Sequence, residues 1–134
     1  MLRFVLVCVG GAIGSGARYL VATWSASTFG TGFPRGTLIV NVVGSFLIGA
    51  IFEASLRSAA VSATLRLFLT TGVMGGFTTY SSFNYETLRL FEEGSAGLAF
   101  LNLSLTVLGC MAAGMLGLAS ARFLLHVPTS PAGR

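Results

Sequence analysis

The 28 residues from 94 to 121 carry no charged side chain. A helix that crosses a bilayer takes about 20 apolar residues, so this run can span with some tilt. The pattern recurs. Residues 36–52 and 67–85 are also free of charge, and residues 4–24 are interrupted only by Arg18. Charged residues make up 9% of the 134-residue chain, against about 25% in a soluble domain. All eight cations are Arg and all four anions are Glu, too few to coat a water-soluble globule. The expected fold is all-α: an integral membrane protein with four transmembrane helices. Residues 1–127 form one four-span membrane domain, and the tail 128–134, with two prolines, is expected to be disordered. A Ser/Thr/Gly/Pro-rich turn (25–35), residues 53–66 and Glu92-Glu93-Gly94 separate the spans.

The same inventory excludes several functions. A net charge of +4 is spread singly rather than in a basic run, so a nucleic-acid partner is not indicated. His126 is the only histidine, which removes an imidazole metal site and a Ser/His/carboxylate set. Cys8 and Cys110 sit in apolar runs and read as free thiols. The first run lacks a clear small-residue cleavage site and reads as a retained span rather than a signal peptide. Four spans put both termini on one side, with Arg3, Arg57, Arg66, Arg122 and Arg134 against Arg35 and Arg89 opposite. That bias favours termini in the cytoplasm by a narrow margin.

Polar residues inside the spans mark an interior or a water-filled path. Asn41, Gly44, Ser45, Ile48 and Gly49 share one helix face. Asn41 reads equally as an interhelical hydrogen bond or as an amide donor facing a permeating anion. The third span holds Gly75-Gly76 and then Thr78-Thr79, poor material for a continuous helix. A break near mid-bilayer is expected there, with freed carbonyls able to bind a cation. Beyond it, Thr79, Ser82 and Glu86 form one polar stripe, and Tyr80, Phe83 and Thr87 an adjacent one. Gly10 and Gly14 suit close helix packing. In the fourth span Asn102 and Thr106 share a face with Cys110. Arg18 reads as a charge that draws anions to a pore or snorkels to headgroups.

Taken in order, Gly10-Gly11-x-x-Gly14-x-x-Ala17-Arg18-Tyr19, Thr37-Leu-x-Val-Asn41-x-x-Gly44-x-Phe46-x-x-Gly49 and Gly72-x-x-Gly75-Gly76-x-Thr78-Thr79-Tyr80-Ser81-Ser82-Phe83-x-x-Glu86 resemble the CrcB/Fluc family of small fluoride channels. The resemblance implies a passive fluoride channel that lowers cytoplasmic fluoride, in the cell (inner) membrane, working as an antiparallel dual-topology homodimer. It implies Asn41, Tyr80 and Phe83 as pore residues, with Ser82, Glu86 and Thr106 along a polar track and Arg18 at a vestibule. It also implies a structural Na+ at the dimer interface, held by the Gly75 and Thr78 carbonyls. Tyr80 stands where the family usually has Phe. The alternative class is a proton-coupled small multidrug-type exporter, also four-spanned, which needs a carboxylate in its first span. Here that span has none. A non-transporting assembly subunit would leave the polar break without a purpose.

Overall fold

A computed structural model describes residues 1–57 and 61–125. The tail 128–134, His126 and Arg134 lie outside the described residues. Among those described, all regular structure is helical. Three helices are long and apolar enough to cross a membrane: α1 (Leu2–Phe29), α2 (Arg35–Arg57) and α6 (Ala96–Leu124). The protein is a multi-pass membrane protein. The helices run a few residues past their charge-free runs, α1 to Phe29, α2 to Arg57 and α6 to Leu124.

The remaining path is composite. A short α3 (Ala63–Leu67) passes into a π-helical stretch, Phe68–Met74, and then into α4 (Gly75–Phe77), with right-handed helical backbone at each junction. Thr78 and Thr79 are extended, and α5 (Tyr80–Glu92) follows. The path begins near the end of α2, where an Arg66 guanidinium N–H donates to Ser55 Oγ at 3.4 Å. It ends beside Arg35 at the opposite end, where Arg89 and Arg35 line one cleft.

Glycine sets how closely these elements approach. A Cβ on Gly14 would overlap the Val73 carbonyl, and one on Gly10 would lie 2.9 Å from Gly72 Cα. Gly76 meets the Gly11 backbone in the same way. The α1 glycines therefore pack the π-helical stretch and α4 backbone to backbone. On the other side, Gly117 of α6 abuts the Phe46 carbonyl of α2, and Gly49 abuts that of Gly114.

Within the Gly75-Gly76-x-Thr78-Thr79 segment where a break was expected, Gly75 and Gly76 are helical and the break falls at the two threonines. Gly76 is committed to the α1 seam, and continuous helix is the backbone that fits there. Another difference lies at residue 53. The segment 53–66 was expected as a connection, yet α2 continues to Arg57 and Glu53 is only 6% exposed. Its carboxylate accepts from Arg57 Nε at 2.6 Å and from Arg122 Nε at 3.0 Å, tying the ends of α2 and α6.

Candidate functional site

The site is built around the two extended residues. Asn41, buried on α2, donates from Nδ2 to the Thr79 carbonyl at 3.0 Å and accepts the Thr79 N–H at Oδ1 at 2.8 Å. One side-chain amide thus satisfies both backbone groups of a residue outside the helical ladder, which a buried break requires. Gly44, one turn along α2, leaves room for the Thr78 methyl; a Cβ there would overlap it. Thr79 then caps α5, its Oγ1 accepting the Ser82 N–H at 3.2 Å. A cap of this kind contributes about 1 kcal/mol.

The break leaves the carbonyls of residues 75–78 without their helical N–H partners, and the Gly76 carbonyl accepts from Ser15 Oγ at 3.5 Å. In an unbroken helix the Gly75 carbonyl would accept from the Thr79 N–H and the Thr78 carbonyl from the Ser82 N–H. Those N–H groups go instead to Asn41 Oδ1 and Thr79 Oγ1. The released oxygens are neutral, and Gly75 is exposed. Such a donor set fits a hard monovalent cation better than calcium, which recruits carboxylates. Among the described residues no cluster of three His, Cys, Asp or Glu side chains exists.

A groove of about 380 Å³ opens beside the break. Asn41, Thr78, Tyr80, Phe83, Thr106 and Cys110 line it, and no cation does. Phe83 is 5% exposed and Tyr80 78%. Their rings meet edge to face, with centroids 5.6 Å apart. Thr106 Oγ1 is buried without a hydrogen-bond partner.

A second cleft, of about 300 Å³, lies across Thr79 from the groove and brings together Arg18, Thr37, Ser82 and Glu86. Thr37 donates to Glu86 Oε1 at 2.8 Å, and Glu86 Oε2 is buried without a partner. Thr79 Oγ1 donates to Ser82 Oγ at 3.1 Å. Thr79 lines both clefts.

A family model described as "CrcB-like protein, Camphor Resistance (CrcB)" matches residues 5–118. The chain belongs to the CrcB family. Among similar proteins, one from Anaeromyxobacter dehalogenans is 60% identical over 124 residues, covering 92% of this chain and 98% of its own length. One from Sorangium cellulosum is 52% identical over 125 residues (93% and 98%), and one from Geobacter metallireducens 50% identical over 124 residues (92% and 100%). Each carries the name "Fluoride-specific ion channel FluC".

For this CrcB member, the candidate residues fall into three places. Asn41, Tyr80, Phe83 and Thr106 share the groove; Ser82, Glu86 and Arg18 share the second cleft; Gly75 and Thr78 bring freed carbonyls. The interhelical hydrogen bond expected as one reading of Asn41 is present, and its partner is the break itself. Thr79, expected in the Thr-Thr break and on the polar stripe, is the residue that Asn41 holds, but nothing local in the sequence announces a partner 38 residues away. Thr37 and the Asn102–Thr87 pair were also missed as contacts, since each joins residues on different helices.

Proposed function

We infer that this chain is a passive fluoride channel, and not an enzyme. The observation that carries the reading is the break at Thr78–Thr79, clamped by Asn41 and flanked by a groove with donors and ring edges but no cation. Fluoride is small and holds water tightly, so a path must replace that water with N–H, O–H and the positive edges of aromatic rings. Asn41 Nδ2 spends one N–H on Thr79 and keeps a second for the ion. Phe83 offers a ring edge, and the Thr106 hydroxyl, unpartnered in the protein, offers another contact. On the far side of Thr79, the Ser82 hydroxyl continues a polar track that passes beside Glu86, with Arg18 drawing anions toward its mouth.

The reading extends to assembly. The path from α3 to α5 forms the fourth crossing, with its break near mid-bilayer, and the chain sits in the cell inner membrane in both orientations. Two copies pair antiparallel across the exposed face that carries Gly75 and Tyr80. The freed Gly75 and Thr78 carbonyls of both copies would then hold one structural sodium ion on the two-fold axis. The ion supplies a fixed positive charge and a staple between subunits; the chain supplies only neutral oxygens.

The alternative, a proton-coupled exporter, has no carboxylate in α1 to work with. Liposomes holding purified protein and loaded with fluoride separate the two. A channel empties them as soon as charge is compensated by a potassium ionophore, at a rate that an imposed proton gradient does not change. Release that depends on the proton gradient would overturn the channel reading.

A further inference from the structure

The aromatic pair that edges the groove sits on α5, and α5 is a free half-helix: the break cuts it from α4. Its position is therefore set by side-chain contacts rather than by an unbroken backbone. The Asn41–Thr79 clamp holds its first end. Two turns further on, Asn102 of α6, 1% exposed, donates from Nδ2 to Thr87 Oγ1 at 2.8 Å. Thr87, also buried, donates in turn to the Phe83 carbonyl at 2.7 Å. Among the described residues this is the one side-chain hydrogen bond between α5 and α6. Phe83, Thr87 and Leu90 make up the buried face of α5.

Residues 79 and 87 are about 12 Å apart along the helix axis, and Tyr80 and Phe83 lie between them. One fixed point leaves a half-helix free to roll about its axis. The Thr79 clamp and the Thr37–Glu86 hydrogen bond hold α5 from the α2 side, and the Asn102–Thr87 bond holds it from the α6 side, so that together they fix its azimuth. A roll of α5 would swing the Phe83 ring edge out of the groove without unfolding anything. We propose that Asn102 and Thr87 are positioning residues that lock the azimuth of α5, and through it the fluoride-over-chloride discrimination at Phe83. The proposal rests on the channel reading and adds to it a residue pair that touches neither the groove nor the ion.

The test has two arms. The first measures backbone amide hydrogen exchange of α5 in detergent-solubilised full-length protein, and needs no transport. Thr87→Val keeps the side-chain shape and removes the hydroxyl, leaving the Asn102 amide buried without a partner. It should speed exchange across residues 80–87 by about fivefold, the effect of losing one buried hydrogen bond. Thr87→Ser, which restores the hydroxyl, should match the parent. The Thr87→Val/Asn102→Leu double variant, which removes the orphaned amide as well, should be milder than Thr87→Val alone. The second arm measures fluoride and chloride efflux from liposomes. Thr87→Val should lower the fluoride-to-chloride rate ratio by about fivefold, in step with the exchange arm, and Thr87→Ser should restore it. A lowered fluoride rate with an unchanged ratio, unchanged α5 exchange in Thr87→Val, or failure of Thr87→Ser to restore either readout would each overturn the proposal. Parent liposomes that release no fluoride would instead refute the channel reading, while the exchange arm would still decide whether the pair holds α5.

Discussion

The two halves of the broken path are held by opposite means. Before the break, the π-helical stretch and α4 press their backbone against the α1 backbone at Gly10, Gly11 and Gly14, with almost no side chain between. After it, α5 is held by hydrogen bonds from long polar side chains, Asn41 at Thr79, Thr37 at Glu86 and Asn102 at Thr87. Glycine packing is a matter of volume: it holds fully or, once a methyl intrudes, not at all. Hydrogen-bond pins can be removed one at a time, and each controls a place rather than a fold. The first half is the frame and the second is the adjustable part.

This contrast can be broken most severely on the glycine side. Gly14→Val should abolish recovery of a monodisperse protein by gel filtration, because its Cβ overlaps the Val73 carbonyl and backbone cannot yield as a side chain would. Gly75→Ala is the counterpart. Only the Thr70 carbonyl, 3.8 Å away, approaches that position, so the monomer fold should survive. A folded Gly14→Val would show that the seam is looser than the contacts require.

Next come the pins. Asn41→Ala loses both hydrogen bonds to Thr79 and the donor facing the groove, and fluoride efflux should fall by at least about tenfold, the factor that 1.4 kcal/mol corresponds to. Asn41→Asp still accepts the Thr79 N–H, but its second oxygen faces the Thr79 carbonyl and its charge is buried at the groove, so it should neither fold nor conduct better than Asn41→Ala. Parent-like conduction by Asn41→Ala would reduce Asn41 to a packing residue. Phe83→Ile should also slow efflux, since an aliphatic group has no positive edge to present.

Sodium removal should have a smaller effect that depends on the ion's tightness. Replacing sodium by a large organic cation should lower both dimer stability and fluoride efflux, and unchanged behaviour in both assays would remove the ion from the account. Tyr80→Phe is expected to be the mildest change. The ring stays, and its hydroxyl makes no hydrogen bond among the described residues. A large loss would make the hydroxyl the operative group.

Local sequence carried the membrane class, the apolar spans and the presence of a break, because each depends on residues near one another. Charge-free runs mark α1, α2 and α6, and the Gly-Gly-x-Thr-Thr segment marks an interruption. The residue at which the chain leaves the helix was not legible. Glycine's poor helix propensity pointed to Gly75-Gly76, but tertiary packing on α1 holds Gly76 helical, and Asn41, 38 positions away, draws Thr79 out instead. The π-helical stretch has no local signature in Phe68–Met74 either. Asn41, Phe83 and Glu86 stood out as polar or aromatic groups at unexpected depth. Thr79 and Thr87 lay on polar stripes and Thr37 in a motif, but what each of them meets is not legible until the facing helix is known.

The central claim is that fluoride passes at the clamped break. Its most direct measurement is a fluoride-electrode record of efflux from liposomes of one lipid composition, holding either the parent or Asn41→Ala at equal protein density, each checked as folded by gel filtration. Parent liposomes should release fluoride rapidly and passively when charge is compensated, and Asn41→Ala liposomes at least about tenfold more slowly. Equal rates from two folded proteins, or no release from the parent, would contradict it.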